Sequence, residues 1–146
     1  MADVKVPIFV ESRYKVNRKR IKSTVSSLLD KNEVKGQIEV SVAIVGDRKM
    51  RTLSKKYKGE DKTRNILSFS MAEGADDRIA RSSPASEADR RGGILGVRGD
   101  TLLLGDIVLS YPEVIREASR DEVLVDDKVD ELVMHGLEHL LGLHHE

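Results

Sequence analysis

The four histidines of this chain, His135, His139, His144 and His145, all lie in its last twelve residues. His135 and His139 are four apart, which on a helix puts both rings on one face, about 6 Å apart along the axis. Two imidazoles so placed can share one tetrahedral metal ion. Gly142 follows three residues after His139 and is a natural helix stop, because glycine reaches the left-handed conformation cheaply. The chain can then double back and bring His145 to the same ion. Leu132, Val133, Leu137, Leu140 and Leu141 give this helix an apolar face to bury, which argues against a frayed histidine-rich tail.

The resulting pattern, H-x-x-x-H-x-x-G-x-x-H, has the ligand spacing of the metzincin zinc enzymes. One part differs. The residue after the first histidine, a glutamate general base in those peptidases, is Gly136 here. Three neutral imidazoles leave a dication with an open fourth position, where water becomes more acidic or a phosphoryl oxygen is polarised. Imidazole suits zinc, as it does nickel, copper and iron. A glycine inside a helix costs about 1 kcal/mol against alanine, so Gly136 predicts a close backbone approach. Glu138 is expected to face solvent.

The rest of the chain bounds the setting. Its 146 residues are the size of one domain with a real core. Net charge is zero, with 34% charged residues, so no global field draws it to nucleic acid or membrane. Any polyanion must be held by a local basic patch. The absence of cysteine excludes disulfides and thiolate ligands. No secretory leader and no apolar stretch long enough to cross a bilayer are visible.

The periodicities then predict the elements. Val4, Val6, Ile8 and Val10 alternate as a first strand, with Pro7 suited to an edge. Ile21, Val25, Leu28 and Leu29 predict a helix over 18–31. Its basic lead-in, Arg13 to Lys22, reads as a solvated start, with a phosphate-facing patch as the alternative. Ile38 to Val45 is a second strand. Asp47 reads as the N-cap of a helix running to Lys58 through Met50, Leu53 and Tyr57. Residues 58–64 form a charged loop, 65–70 a short strand and 72–100 a long mobile loop. Leu102 to Leu109 reads as a strand buried on both faces, inside which Asp106 needs partners. Pro112 opens a short helix to about Ser119. An acidic stretch, 121–130, then starts the last helix.

The chain resembles the YbeY family of metal-dependent single-strand endoribonucleases over nearly its whole length. The likeness rests on His135-Gly136, His139-Leu140, Gly142 and His145, on Leu104-Gly105-Asp106-Ile107, and on Tyr57 to Lys62 followed by Asn65-Ile66-Leu67-Ser68-Phe69. Lys58 stands where the family usually has arginine, and Thr63-Arg64 where it has Pro-Thr. Arg64 can therefore supply the guanidinium that Lys58 lacks. Leu143-His144 replaces the family's Tyr-Asp. The resemblance implies a single α/β (α+β) domain over 1–146, with a small mixed four-stranded sheet flanked by helices and a zincin-like metal helix at the C-terminus. It implies one Zn²⁺ on His135, His139 and His145. Cleavage of single-stranded RNA would follow, in cytoplasmic ribosomal RNA maturation and quality control, with the ribosome or its proteins as partners.

Within that reading, His135, Lys58 and Arg64 are the catalytic candidates, and Lys58 and Arg64 also bind substrate phosphate. Asp106 is the candidate acceptor behind a ligand histidine, with a buried cap or turn partner as the alternative. RNA carries its own nucleophile, the 2′-hydroxyl, so a peptidase glutamate is not required. Two other classes stay open. One is a zincin-like metallopeptidase with Glu138 or Glu146 as base. The other is a non-catalytic ribosome-binding factor whose metal, closed off by His144, only staples the C-terminus.

Overall fold

The computed structural model describes residues 2–70, 97–98 and 100–142. In chain order the described elements are β1 (Ala2–Lys5), β2 (Ile8–Val10), α1 (Arg18–Lys31), β3 (Gly36–Val45), α2 (Asp47–Lys58), β4 (Ile66–Ser70), β5 (Val97–Arg98), β6 (Thr101–Ser110), α3 (Tyr111–Asp121) and α4 (Val125–Leu140). The long loop expected over 72–100 lies outside the described residues, save for 97–98 and 100.

The sheet runs β1-β3-β6-β4, with β2 also beside β3 and β5 beside β6. β1, β2 and β6 are parallel to β3, while β4 and β5 are antiparallel to β6. A small mixed sheet flanked by helices is the expected architecture, and this is one, although the described residues form six strands and not four. Two causes account for the difference. The first expected strand breaks at Val6–Pro7 into β1 and β2, because proline has no N–H for the ladder. The Pro7 carbonyl still accepts from the Val42 amide at 3.0 Å. β5 is two residues long and lies in a stretch without apolar periodicity.

Strand alternation sorts side chains to the two faces of the sheet. On one face, Ile38, Val40, Val42 and Ile44 of β3 and Ile107 and Leu109 of β6 are buried against α1 and α4. Those helices contribute Ile21, Val25 and Leu29, and Val129, Val133, Leu137 and Leu140. On the other face, Val45, Leu67, Phe69 and Val108 enclose Met50 of α2. Burial of these side chains is the main favourable term, about 1.5–3 kcal/mol for each large one.

Polar anchors fix the helices. Arg20 bonds Asp127 at 2.5 Å and also Asp130, which accepts from Thr24 at 3.1 Å, tying α1 to α4. The Arg18 guanidinium donates to the Ile8 carbonyl at 2.7 Å, and Arg13 lies 3.4 Å from Glu11. The three arginines of the basic lead-in of α1 are therefore committed to structural bonds. Asp47 is expected as an N-cap, yet Gly46 caps α2 and Asp47 is its first residue. Its carboxylate accepts from Thr63 at 3.0 Å, Ser110 at 2.7 Å and Arg116 at 2.9 Å. Burial pushes this carboxyl up, but those donors more than offset it, and the group sits below the ordinary carboxylate value.

α4 ends where the glycine spacing predicts. Gly142 has φ +77°, and its amide donates to the His139 carbonyl at 3.1 Å. No helix among the described residues is long and apolar enough to cross a membrane.

Candidate active site

α4 lies across β4 and β6 at Gly136. A Cβ there would sit 2.9 Å from Ile66 Cδ1 and 3.1 Å from Ile107 Cγ2. The close approach expected from a mid-helix glycine is therefore present, and it brings both histidine rings onto the end of β4. Gly105 does the same job one turn further on. A Cβ at that position would lie 2.1 Å from the Phe69 carbonyl oxygen and 2.9 Å from Leu140 Cδ2.

His135 and His139 share the exposed edge of α4, with ring centroids 4.6 Å apart and planes at 80°. Their Nε2 atoms are 3.1 Å apart. Two nitrogens at about 2.05 Å from a tetrahedral ion lie about 3.3 Å apart, so this pair fits two positions of such a shell. His145, the expected third ligand, and His144 lie outside the described residues. Among the described residues no three His, Cys, Asp or Glu side chains converge on one point.

The histidines form one wall of a cleft of about 270 Å³, lined also by Lys58, Arg64, Ile66, Leu67 and Ser68. Both basic residues singled out in the sequence thus reach the same cavity as the histidine pair. Lys58 is the last residue of α2 and is exposed. Arg64 precedes β4 and is held from behind: its Nε donates to the buried Ser54 hydroxyl at 3.2 Å, and its Nη2 pairs with Glu60. The sequence reading gives Ser54, Glu60 and Ser68 no role in the site, although Glu60 and Ser68 stand in the motifs that carry the family resemblance. Alternation in Ile66-Leu67-Ser68-Phe69 also puts Ser68 with Ile66 on the α4 side. Ser54 has no signal, since it acts through Arg64.

Asp106 is placed elsewhere. Ile107, its neighbour, packs under Gly136, so Asp106 points to the opposite face of β6. There it is buried, accepts a hydrogen bond from Ser41, and borders a cavity of about 600 Å³ with Phe9, Tyr57 and Phe69. Among the described residues this places it on the opposite side of β6 from His135 and His139. Glu138, expected to face solvent, is half-buried. Glu146 lies outside the described residues.

The sequence profile of the family described as Endoribonuclease YbeY matches residues 8–146. The chain belongs to the YbeY family. It is 38% identical over 109 residues to the Endoribonuclease YbeY of Magnetococcus marinus, which covers 75% of this chain and 65% of that protein. It is 29% identical over 136 residues to the namesake from Syntrophus aciditrophicus, covering 93% and 72%. It is 30% identical over 128 residues to that of Clostridium perfringens, covering 87% and 74%. The chain thus spans less than two thirds of the length of the Magnetococcus relative and somewhat more of the other two. A Thermotoga maritima protein solved in solution shares the fold, with a TM-score of 0.54 at 20% identity over 97% of this chain and 75% of that one.

Proposed function

We propose that this chain is a metal-dependent endoribonuclease that cuts single-stranded RNA, with Zn²⁺ on His135, His139 and His145. The reading extends to cytoplasmic ribosomal RNA processing, at the 3′ end of the small-subunit RNA, and to ribosome quality control. One observation carries it: two cations, Lys58 and Arg64, line the same cleft as a histidine pair whose Nε2 atoms are 3.1 Å apart. The relatives' name, Endoribonuclease YbeY, supports RNA as the substrate.

His135 and His139 would hold the ion from one turn of α4, with their Nε2 atoms 3.1 Å apart. When bound, the ion supplies Lewis acidity toward a phosphoryl oxygen and acidifies water. Arg64, pre-aimed by Ser54 and Glu60, presents its fork to the scissile phosphate, and Lys58 adds a mobile point charge. Together they offset the negative charge that grows on the phosphate as it becomes five-coordinate. Ile66 and Leu67 exclude water from one side of the cleft. The α4 position that carries the base in zincin peptidases is Gly136, buried with isoleucines where a side chain would go, which disfavours peptide hydrolysis by that route.

The test is metal content and cleavage of a labelled single-stranded RNA, measured side by side. Wild type should hold about one zinc per chain and cut. His139→Ala should lose both together. Lys58→Ala should keep its metal and cut at least about 100-fold more slowly, the usual loss for one charge-stabilising group. Full cleavage by chelator-stripped protein would end the proposal.

A further inference from the structure

We infer that the outer face of α2 is a track for the phosphate backbone of single-stranded RNA, leading the strand into the histidine cleft. This rests on the endoribonuclease reading and names where the rest of the substrate lies.

The first observation is charge placement. The whole chain is neutral, yet α2 carries six cations and one carboxylate in twelve residues. Arg48, Arg51, Lys55 and Lys58 follow one another at intervals of three, four and three. That spacing lines them along one side of the helix over about 15 Å. All four are exposed.

The second observation is what they bond. Arg20, Arg64, Arg116, Arg120 and Lys128 all sit within ion-pair distance of a carboxylate. Among the described residues none of Arg48, Arg51, Lys55 or Lys58 does. The carboxylate on their own helix, Asp47, is already engaged by Thr63, Ser110 and Arg116. Four unpaired cations in one row repel each other, an arrangement that a polyanion relieves.

The third observation is continuity. Arg48, Arg51, Lys55 and Lys56 line a groove of about 770 Å³, together with Thr52 and the carboxylates of Asp47 and Asp61. The next cation of the row, Lys58, lines the histidine cleft itself. A strand lying along the groove has its phosphates handed from Arg48 to Lys58 and so into the site. The spacing reads backbone and not base, so the track confers affinity without sequence preference.

The experiment compares wild type, the triple variant Arg48→Gln/Arg51→Gln/Lys55→Gln, and a control that loses the same charge elsewhere, Lys19→Gln/Lys22→Gln/Lys31→Gln. Those control lysines are exposed on α1, and all six changes are at the surface. Binding of a nuclease-resistant 2′-O-methyl RNA of about 12 nucleotides is measured by anisotropy between 50 and 200 mM salt. Each lost phosphate contact flattens the log–log salt slope by about 0.7. Over that fourfold salt range, wild type should therefore lose about 20-fold more affinity than the α2 variant. The control should match wild type. Equal slopes for all three proteins overturn the track, and so does displacement of the RNA by polyglutamate as readily as by unlabelled RNA. Cleavage by wild type is assayed separately: its absence defeats the endoribonuclease reading whatever the slopes show.

Discussion

Gly136→Ala is the sharpest probe of how α4 is set on the sheet. The added methyl would lie 2.9 Å from Ile66 Cδ1, with Ile107 Cγ2 and Cγ1 at 3.1 and 3.3 Å. Carbon pairs prefer about 3.5–4.0 Å, so the closest contact falls short by about 0.6 Å. Overpacking of this size costs about 1–3 kcal/mol, while replacing a mid-helix glycine by alanine returns about 1 kcal/mol. The single variant is thus neutral to about 2 kcal/mol less stable, which alone decides little. The decisive quantity is the coupling to Ile66→Val, a change that deletes Cδ1, the nearest atom. Alone, Ile66→Val costs about 0.5–1.5 kcal/mol. With that atom gone, Gly136→Ala keeps its propensity gain and loses its worst clash, so the double variant should beat the sum of the singles by about 1 kcal/mol or more. Urea midpoints of the four proteins, at unchanged m, measure this. Additivity within about 0.5 kcal/mol would refute the packing. Activity should follow the same cycle. Ile66 lies between Arg64 and Ser68 on the strand that faces the histidines, and a misplacement of about 1 Å in a site can cost about 100-fold in rate. Cleavage should fall in Gly136→Ala and recover in the double variant.

Three further outcomes follow from the site and its supports. Glu60→Gln removes the carboxylate that helps aim Arg64; an ion pair this exposed is worth up to about 1 kcal/mol, so KM for RNA should rise by up to about fivefold, and a lowered KM would contradict the aiming role. Asp47→Asn weakens three hydrogen bonds to a charged acceptor and should cost about 1–3 kcal/mol at neutral pH. Because the folded carboxyl sits below its ordinary value of 3.8, wild type's advantage is complete above that value and vanishes as pH drops through the folded pKa. Urea titrations of both proteins between pH 7 and 2 would show this, and a gap that persists in acid would contradict it. Asp106→Asn should leave metal stoichiometry unchanged, since Asp106 faces away from His135 and His139; loss of metal in that variant would place it behind a ligand after all.

How much of this is legible in the sequence depends on the range of each signal. Helix α1 and the strand around Ile38 to Val45 are readable because one apolar face imposes a strict period on them. The helix stop at Gly142 is readable because a left-handed turn favours the residue without a Cβ, and the tight contact at Gly136 because a mid-helix glycine is costly unless something presses against it. The split of β1 from β2 is half-legible: proline marks an edge, but whether the strand resumes depends on β3. Asp47 looks like a cap because an acidic residue at a helix start has the same signature whether it bonds its own amides or three distant donors. The side of the sheet on which Asp106 lies is hidden for a related reason. Its side of β6 follows from the pleat counted from Gly105, where the register shifts between Glu39 and Val40 across the strand pair. A one-residue slip flips every side chain, and no local pattern in a strand buried on both faces reveals it.

The same geometry accounts for the missing glutamate. A zincin peptidase needs a carboxylate next to its first ligand histidine, and that position must open onto the cleft. Here α4 lies so close to the sheet that position 136 is filled by Ile66 and Ile107. A helix this close carries His135 and His139 to the end of β4, beside Arg64 and Lys58, and leaves no volume for a base on that turn. The two demands exclude each other. A substrate that carries its own hydroxyl and a dense negative charge needs cations at short range more than it needs a carboxylate. In that respect the glycine and the two basic residues are parts of one arrangement, and replacing Gly136 by glutamate should unseat the helix before it creates a peptidase.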